Sequence, residues 1–246
     1  MPQVYAWDGP RPIPSETMIS IQKLHLIGAA MSVSGASKLT QAAPAGELWR
    51  YTARPGTRPP MSETDEYILN AIKNWVWSGF YSPDEVDAMI DDILEDDADE
   101  TMLRAAVAPE FDKKAAAEAS WPDTTDCDRL DQAFEELNSR GVIALHNAGY
   151  TMSDGISDIS EALHERGRTG INGYCFYHGQ DVERAVAGEG IMIAFGDLDD
   201  DKTKKTNVGR LVRDVLQKFG FAVEWNGDPE TRLNIPTIDW KRRRAV

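Results

Sequence analysis

The sequence has little cysteine: Cys127 and Cys175 are the only two among 246 residues, and they form no CxxC pair. This excludes a disulfide framework and a thiolate zinc site, and predicts a reducing compartment. Long hydrophobic runs are missing too. The longest largely apolar stretch, Leu24–Val33, is too short to span a bilayer and is interrupted by His25 and Ser32. Near the amino terminus, Asp8 and four prolines stand where a basic region leading into an apolar run would be needed, so no secretory signal is expected. A cytoplasmic protein without a membrane role follows as the expectation. Common catalytic signatures are also absent. There is no Walker A loop, no GxGxxG after a strand, no GxSxG elbow and no HExxH. No cofactor and no metal are expected.

Positive charge is scarce, and unevenly so. The chain carries 26 Lys and Arg against 41 Asp and Glu, a formal charge of −15. Residues 61–100 hold thirteen acids and one basic residue, Lys73, so forty residues carry −12 of that total. Such a field repels nucleic acid and attracts basic proteins.

What remains is ordinary globular material, 41% hydrophobic and 27% charged, long enough for one large domain or two smaller ones. Three regions differ in texture. Residues 1–60 begin with Pro2, Pro10, Pro12 and Pro14 and end in a linker-like Arg54–Pro60. Between these, Ser15–Met31 reads as a short helix or a buried strand pair.

Residues 61–120 predict a small acidic helical module. Ser62 caps a helix whose apolar stripe is Tyr67, Ile68, Ile72, Trp75 and Val76, with Gly79 as its stop. Ser82-Pro83-Asp84-Glu85 opens a second helix with a cap, a first-turn proline and a capping-box glutamate. A third, alanine-rich helix is expected from about Glu100 to Ala119, broken at Pro109.

Residues 121–246 then alternate short strands with helices. Strands are expected at Val142–Leu145, Gly173–Tyr177, Ile191–Phe195, Phe221–Trp225 and Arg232–Ile235, the last two as a hairpin about Asn226-Gly227. Helices are expected at Asp126–Arg140, near Ile156–Arg166, at Gln180–Ala187 and at Thr206–Phe219. The fold class is therefore α+β: a mixed sheet of about five short strands with flanking helices, preceded by the helical module.

Four features bear on chemistry. The first is the block Leu145–Gly155, LHNAGYTMSDG, between a strand and a helix. The second is Gly173–Asp181, GYCFYHGQD. Strand alternation sends Tyr174, Phe176 and His178 to one face and Cys175 and Tyr177 to the other. Cys175 and His178 thus diverge, which argues against a Cys–His nucleophile pair. Both blocks leave neighbouring strand ends, so His146, Tyr150, Asp154, His178, Gln180 and Asp181 form an alternative polar site. The structural reading of the same residues is caps and turns, with Ser153 or Asp154 capping the next helix. The third feature, Asp197–Asp201, lacks the glycine and glutamate of a calcium loop and reads as an exposed turn.

The fourth is the acidic run Asp84–Glu100, ten acids with no Lys or Arg. Like charges four apart cost a few tenths of a kcal/mol each. Usually such a run is a solvated face. Accepting the cost over four turns predicts a use for the field, with Asp84, Asp87, Asp91, Asp92, Glu95 and Asp96 as partner-binding residues.

The two blocks resemble an uncharacterised bacterial domain family. The resemblance continues through Ile191–Gly196, Val208-Gly209, Gly220-Phe221 and Trp225, covering about residues 126–240. In size, charge and lack of catalytic signature the chain is also similar to immunity proteins of secreted antibacterial toxins, including those of type VI secretion. That similarity implies a cytoplasmic protein that blocks the active site or substrate groove of a basic toxin, most simply a nuclease. The alternative is a hydrolase working at His146, His178 and Asp181.

Overall fold

Ser62 opens helix α1 (Glu63–Ser78): its hydroxyl accepts the Asp65 amide at 2.9 Å. Gly79, at φ +81°, ends that helix. Ser82 and Glu85 form the expected capping box of α2 (Pro83–Ile93). Asp99 caps α3 (Glu100–Glu118). This computed structural model describes residues 61–244, so the expectations for residues 1–60 lie outside the described residues.

Two elements of the helical module differ from expectation. First, α3 runs unbroken through Pro109. The proline removes one helical donor, but it stands on an exposed face. The helix is held on both sides, by buried Leu103 and Val107 before it and by a 2.7 Å bond from the Trp77 indole to Glu110 after it. Second, α2 stops at Ile93, and Leu94 is extended. The acidic run is therefore helix followed by turn. Asp65, largely buried, fixes that turn by accepting the Asp99 amide at 2.9 Å. The module has its own apolar core of Ile68, Ile72, Trp75, Val76, Val86, Ile90, Leu103 and Val107.

Beyond it the chain runs α4 (Asp126–Ser139), β1 (Val142–Leu145), α5 (Met152–Arg166), β2 (Gly173–Phe176), α6 (Gly179–Val186), β3 (Ile191–Gly196), α7 (Lys202–Lys218) and β4 (Leu233–Ile235). The sheet order is β1-β2-β3-β4, parallel at the first pair and antiparallel at the other two. The architecture is α+β, with a mixed four-stranded sheet. The segment expected as a fifth strand, Phe221–Trp225, makes a single bridge between Glu224 and Asn234. Its two ends are held by side chains instead: Phe221 is buried, and Trp225 lies edge-on to Phe195 at 5.4 Å.

Period-two alternation separates the faces of the sheet. Ala144, Cys175, Ile193 and Phe195 face α4 and α7, joined there by Tyr177 just past β2. Ile143, Phe176 and Ala194 face α5, whose Ile159 packs against them. Burying a Leu, Ile, Val or Phe in these layers contributes about 1.5–3 kcal/mol each. The carboxyl-terminal segment then returns to the first module. Trp240 is buried, and its indole donates to the Ser78 carbonyl at 3.1 Å. No helix among the described residues is long and apolar enough to cross a membrane.

Candidate functional site

The two blocks meet because β1 and β2 are parallel neighbours, so their carboxyl ends emerge side by side. Pairing continues past the strands: Ala148 N donates to Tyr177 O at 2.9 Å, Gly179 N to Gly149 O at 2.9 Å, and Gln180 N to Tyr150 O at 3.3 Å. Glycine makes this close approach possible. A Cβ on Gly149, at φ +56°, would stand 2.2 Å from the Asp154 Cβ, and one on Gly179 would stand 2.7 Å from the Tyr150 ring.

Thr151 caps α5, not Ser153 or Asp154. Asp154 instead occupies the third helical position, and its Oδ2 accepts from the Thr151 amide at 2.9 Å and hydroxyl at 2.8 Å. The helix begins at Met152, four residues earlier than expected, because this box closes inside the polar block.

The side chains of the polar site divide into three groups. His146 is stacked on Phe134 at 4.4 Å. Its Nδ1 is 2.8 Å from the Tyr177 hydroxyl, and its Nε2 is 3.4 Å from Asp131, which also binds Arg242. Arg242 lies over the Phe80 ring at 4.6 Å. Burial, then the Arg242 charge, holds the His146 pKa well below its ordinary value, so the imidazole is neutral.

His178 belongs to a second group. Its Nδ1 is 3.2 Å from Asp181 Oδ2, and its Nε2 is 3.3 Å from Arg232. Asp181 is buried and receives Arg232 at 3.0 Å on both oxygens. Burial lowers the His178 pKa although Asp181 pulls it up, and burial raises Asp181 against the pull of His178 and Arg232.

Tyr150 forms the third group with Glu183 of α6: its hydroxyl is 3.3 Å from each carboxylate oxygen. Gln180 enters through its backbone alone, in the loop pairing above. The structure thus brings the blocks together as backbone but sends His146, His178 and Tyr150 to different partners. Asp131, Glu183, Arg232 and Arg242 complete these groups and were not singled out in the sequence. They lie 15 to 96 residues from the histidine or tyrosine they serve, so no local spacing marks them.

Cys175 faces the α4 and α7 core, away from His178. Burial pushes the Cys127 thiol up to about 12 and raises Cys175 as well, so both are protonated small hydrophobes. Asp197 is buried rather than exposed. Its Oδ2 accepts the Asp199 amide at 2.9 Å and the Asp201 amide at 3.0 Å, and Asp201 then caps α7.

The acidic residues also sort by partner. Arg104 gathers Asp87 at 3.2 Å, Glu100 at 2.8 Å and Asp91. Asp84, Asp92, Glu95 and Asp96 have no cationic partner among the described residues. Three of these four are exposed and Asp92 is half-buried, its pKa raised by burial and then by Asp91.

A family model described as a Domain of unknown function (DUF6891) matches residues 61–244. The chain belongs to this family. The match begins at the helical module, so the DUF6891 domain is larger than the 126–240 span suggested by the two blocks. No curated protein and no solved structure matches the chain.

Proposed function

We propose that this DUF6891 protein is a binding protein that engages a basic protein partner through the acidic face of α2 and the turn after it. The partner class that fits is a secreted antibacterial toxin, such as a nuclease effector of type VI secretion, and the chain would then be its cytoplasmic immunity protein. The observation that carries this reading is the set Asp84, Asp92, Glu95 and Asp96, without a cationic partner among the described residues, beside Asp87, Asp91 and Glu100, which Arg104 neutralises. A nuclease groove that binds phosphates presents cations, and an acidic ridge occupies it as nucleic acid would. The spent roles of the two blocks, as caps and loop pairing, also favour recognition over chemistry.

The test is co-expression with a toxin encoded beside the gene, followed by association kinetics on the purified pair. Reversing Asp84, Asp92, Glu95 and Asp96 to Lys should slow association about tenfold or more at low salt and flatten its ionic-strength dependence. An unchanged rate and salt slope would remove the acidic face from the account.

A hydrolase is the second reading, favoured by the proximity of His178 Nδ1 to Asp181 Oδ2, 3.2 Å apart though not hydrogen-bonded to each other. It requires turnover of a generic ester or phosphodiester that is lost in His178→Ala.

A further inference from the structure

β1 stands at the end of the sheet order, with β2 on one side and no strand on the other among the described residues. Ala144, within it, turns both backbone groups away from β2. Its amide donates to Asn138 Oδ1 at 3.2 Å, and its carbonyl accepts from Asn138 Nδ2 at 3.1 Å. Two bonds exchanged with one residue are what a paired antiparallel strand supplies. The opposite edge of the sheet shows the peptide version. There Glu224 and Asn234 exchange the same two bonds, backbone to backbone, at 2.8 and 3.0 Å. Asn138, in the last turn of α4, is held in its role from two further directions. Its Nδ2 also donates to Phe134 O at 3.0 Å, and its Oδ1 also accepts from Arg166 of α5 at 2.7 Å. The Ala144 amide and the Arg166 guanidinium can only donate, and the two carbonyls can only accept. The carboxamide therefore has one orientation that satisfies all four.

We propose that Asn138 is a built-in substitute for a neighbouring strand, and that it keeps β1 from pairing with β1 of a second copy of this chain. The strand's own sequence makes that pairing the one to be blocked. Val142–Leu145 reads VIAL, with no charge and no proline, so two devices that ordinarily protect an edge strand are absent from it. Short, apolar, uncharged segments are the ones that pair between chains. An antiparallel β1–β1 pair about a two-fold axis is self-complementary and needs no second surface. No like charges within the two strands would face each other across it. Asn138 meets the hydrogen-bonding demand of Ala144 from within the chain, so a second copy finds that position taken. The edge belongs to the sheet, and the inference does not depend on the role of the acidic face of α2.

The test is made on the full chain by analytical ultracentrifugation and by amide hydrogen exchange read at Ala144. Both are run from about 10 μM to about 1 mM protein, where weak association is visible, at about 0.15 M salt to screen the net negative charge. The wild-type chain should show an Ala144 amide protected equally at every concentration, with no self-association through β1. Asn138→Ala should expose that amide in dilute solution, with exchange at least tenfold faster. Protection should return as concentration rises, in step with a monomer–dimer equilibrium. Asn138→Ser, too short to reach both Ala144 groups, should do the same and serves if Asn138→Ala does not fold. Asn138→Asp also loses the bond to the Ala144 carbonyl but sets a charge at the edge, and should stay monomeric. A folded Asn138→Ala or Asn138→Ser chain that remains monomeric throughout overturns the proposal. So does association that leaves Ala144 unprotected, or a wild-type chain that already pairs through β1. Equal dimerisation of Asn138→Asp would trace association to lost stability rather than to an opened edge, and would overturn it too.

Discussion

The Trp240 indole donates to the Ser78 carbonyl at 3.1 Å, joining residues 162 positions apart and tying the last segment of the chain to the end of the first described helix. The Ser78 carbonyl lies at a helix end, where it has no helical donor of its own. Trp240→Phe keeps an aromatic ring and deletes the donor. Urea unfolding should show a loss of about 1–3 kcal/mol, the cost of leaving a buried acceptor unsatisfied. A loss below a few tenths would mean that water replaces the indole.

Gly155 lies within α5, where alanine is ordinarily better by about 1 kcal/mol. Here a Cβ would stand 2.2 Å from the Phe176 ring, which is fully buried. Gly155→Ala should therefore destabilise by about 1–3 kcal/mol, as overpacking does. A rise in the unfolding midpoint would show that Phe176 has room to move.

His146 gives the fold an acid-sensitive edge. Its folded pKa lies well below the ordinary value of 6.5, so the unfolded chain binds the extra proton. Its contribution is complete above pH 6.5 and is lost as pH falls from there toward the folded pKa, at up to about 1.4 kcal/mol per pH unit. Denaturant unfolding between pH 7.5 and 5.5 should show this slope, and His146→Asn should flatten it. An equal slope in the variant would assign the effect to other groups, His178 first among them.

Neutralising Asp92, Glu95 and Asp96 as Asn, Gln and Asn should change stability by no more than about 0.5 kcal/mol, as for ordinary surface substitutions, with any shift upward. These acids lack cationic partners among the described residues. A clear loss of thermal stability would mean that the fold, rather than recognition, uses them.

The legible features are those written over short range. Ser82 and Glu85 state a helix start within four residues, Gly79 states an end, and the alternation around Cys175 states which face each side chain takes. These readings hold in the structure. Pro109 shows the limit of a local rule: a helix with packed residues on both sides continues through a proline on its exposed face. Thr151 shows another, because three neighbouring residues can cap a helix and the register of the loop decides among them. Arg104, Arg232 and Arg242 had no signal at all. Each is one cation among 26 in the chain, and only the fold shows which acid it meets.

The pairing of Ala148–Tyr150 with Tyr177–Gln180 has a consequence for inheritance. The two fingerprint strings are one interlocked object, since a one-residue insertion in either slides Gly149 away from Gly179 and brings a side chain into contact with the facing loop. Descendants of this chain are expected to keep both strings at fixed length or to lose both. A sequence carrying one string alone has no reason to share this fold.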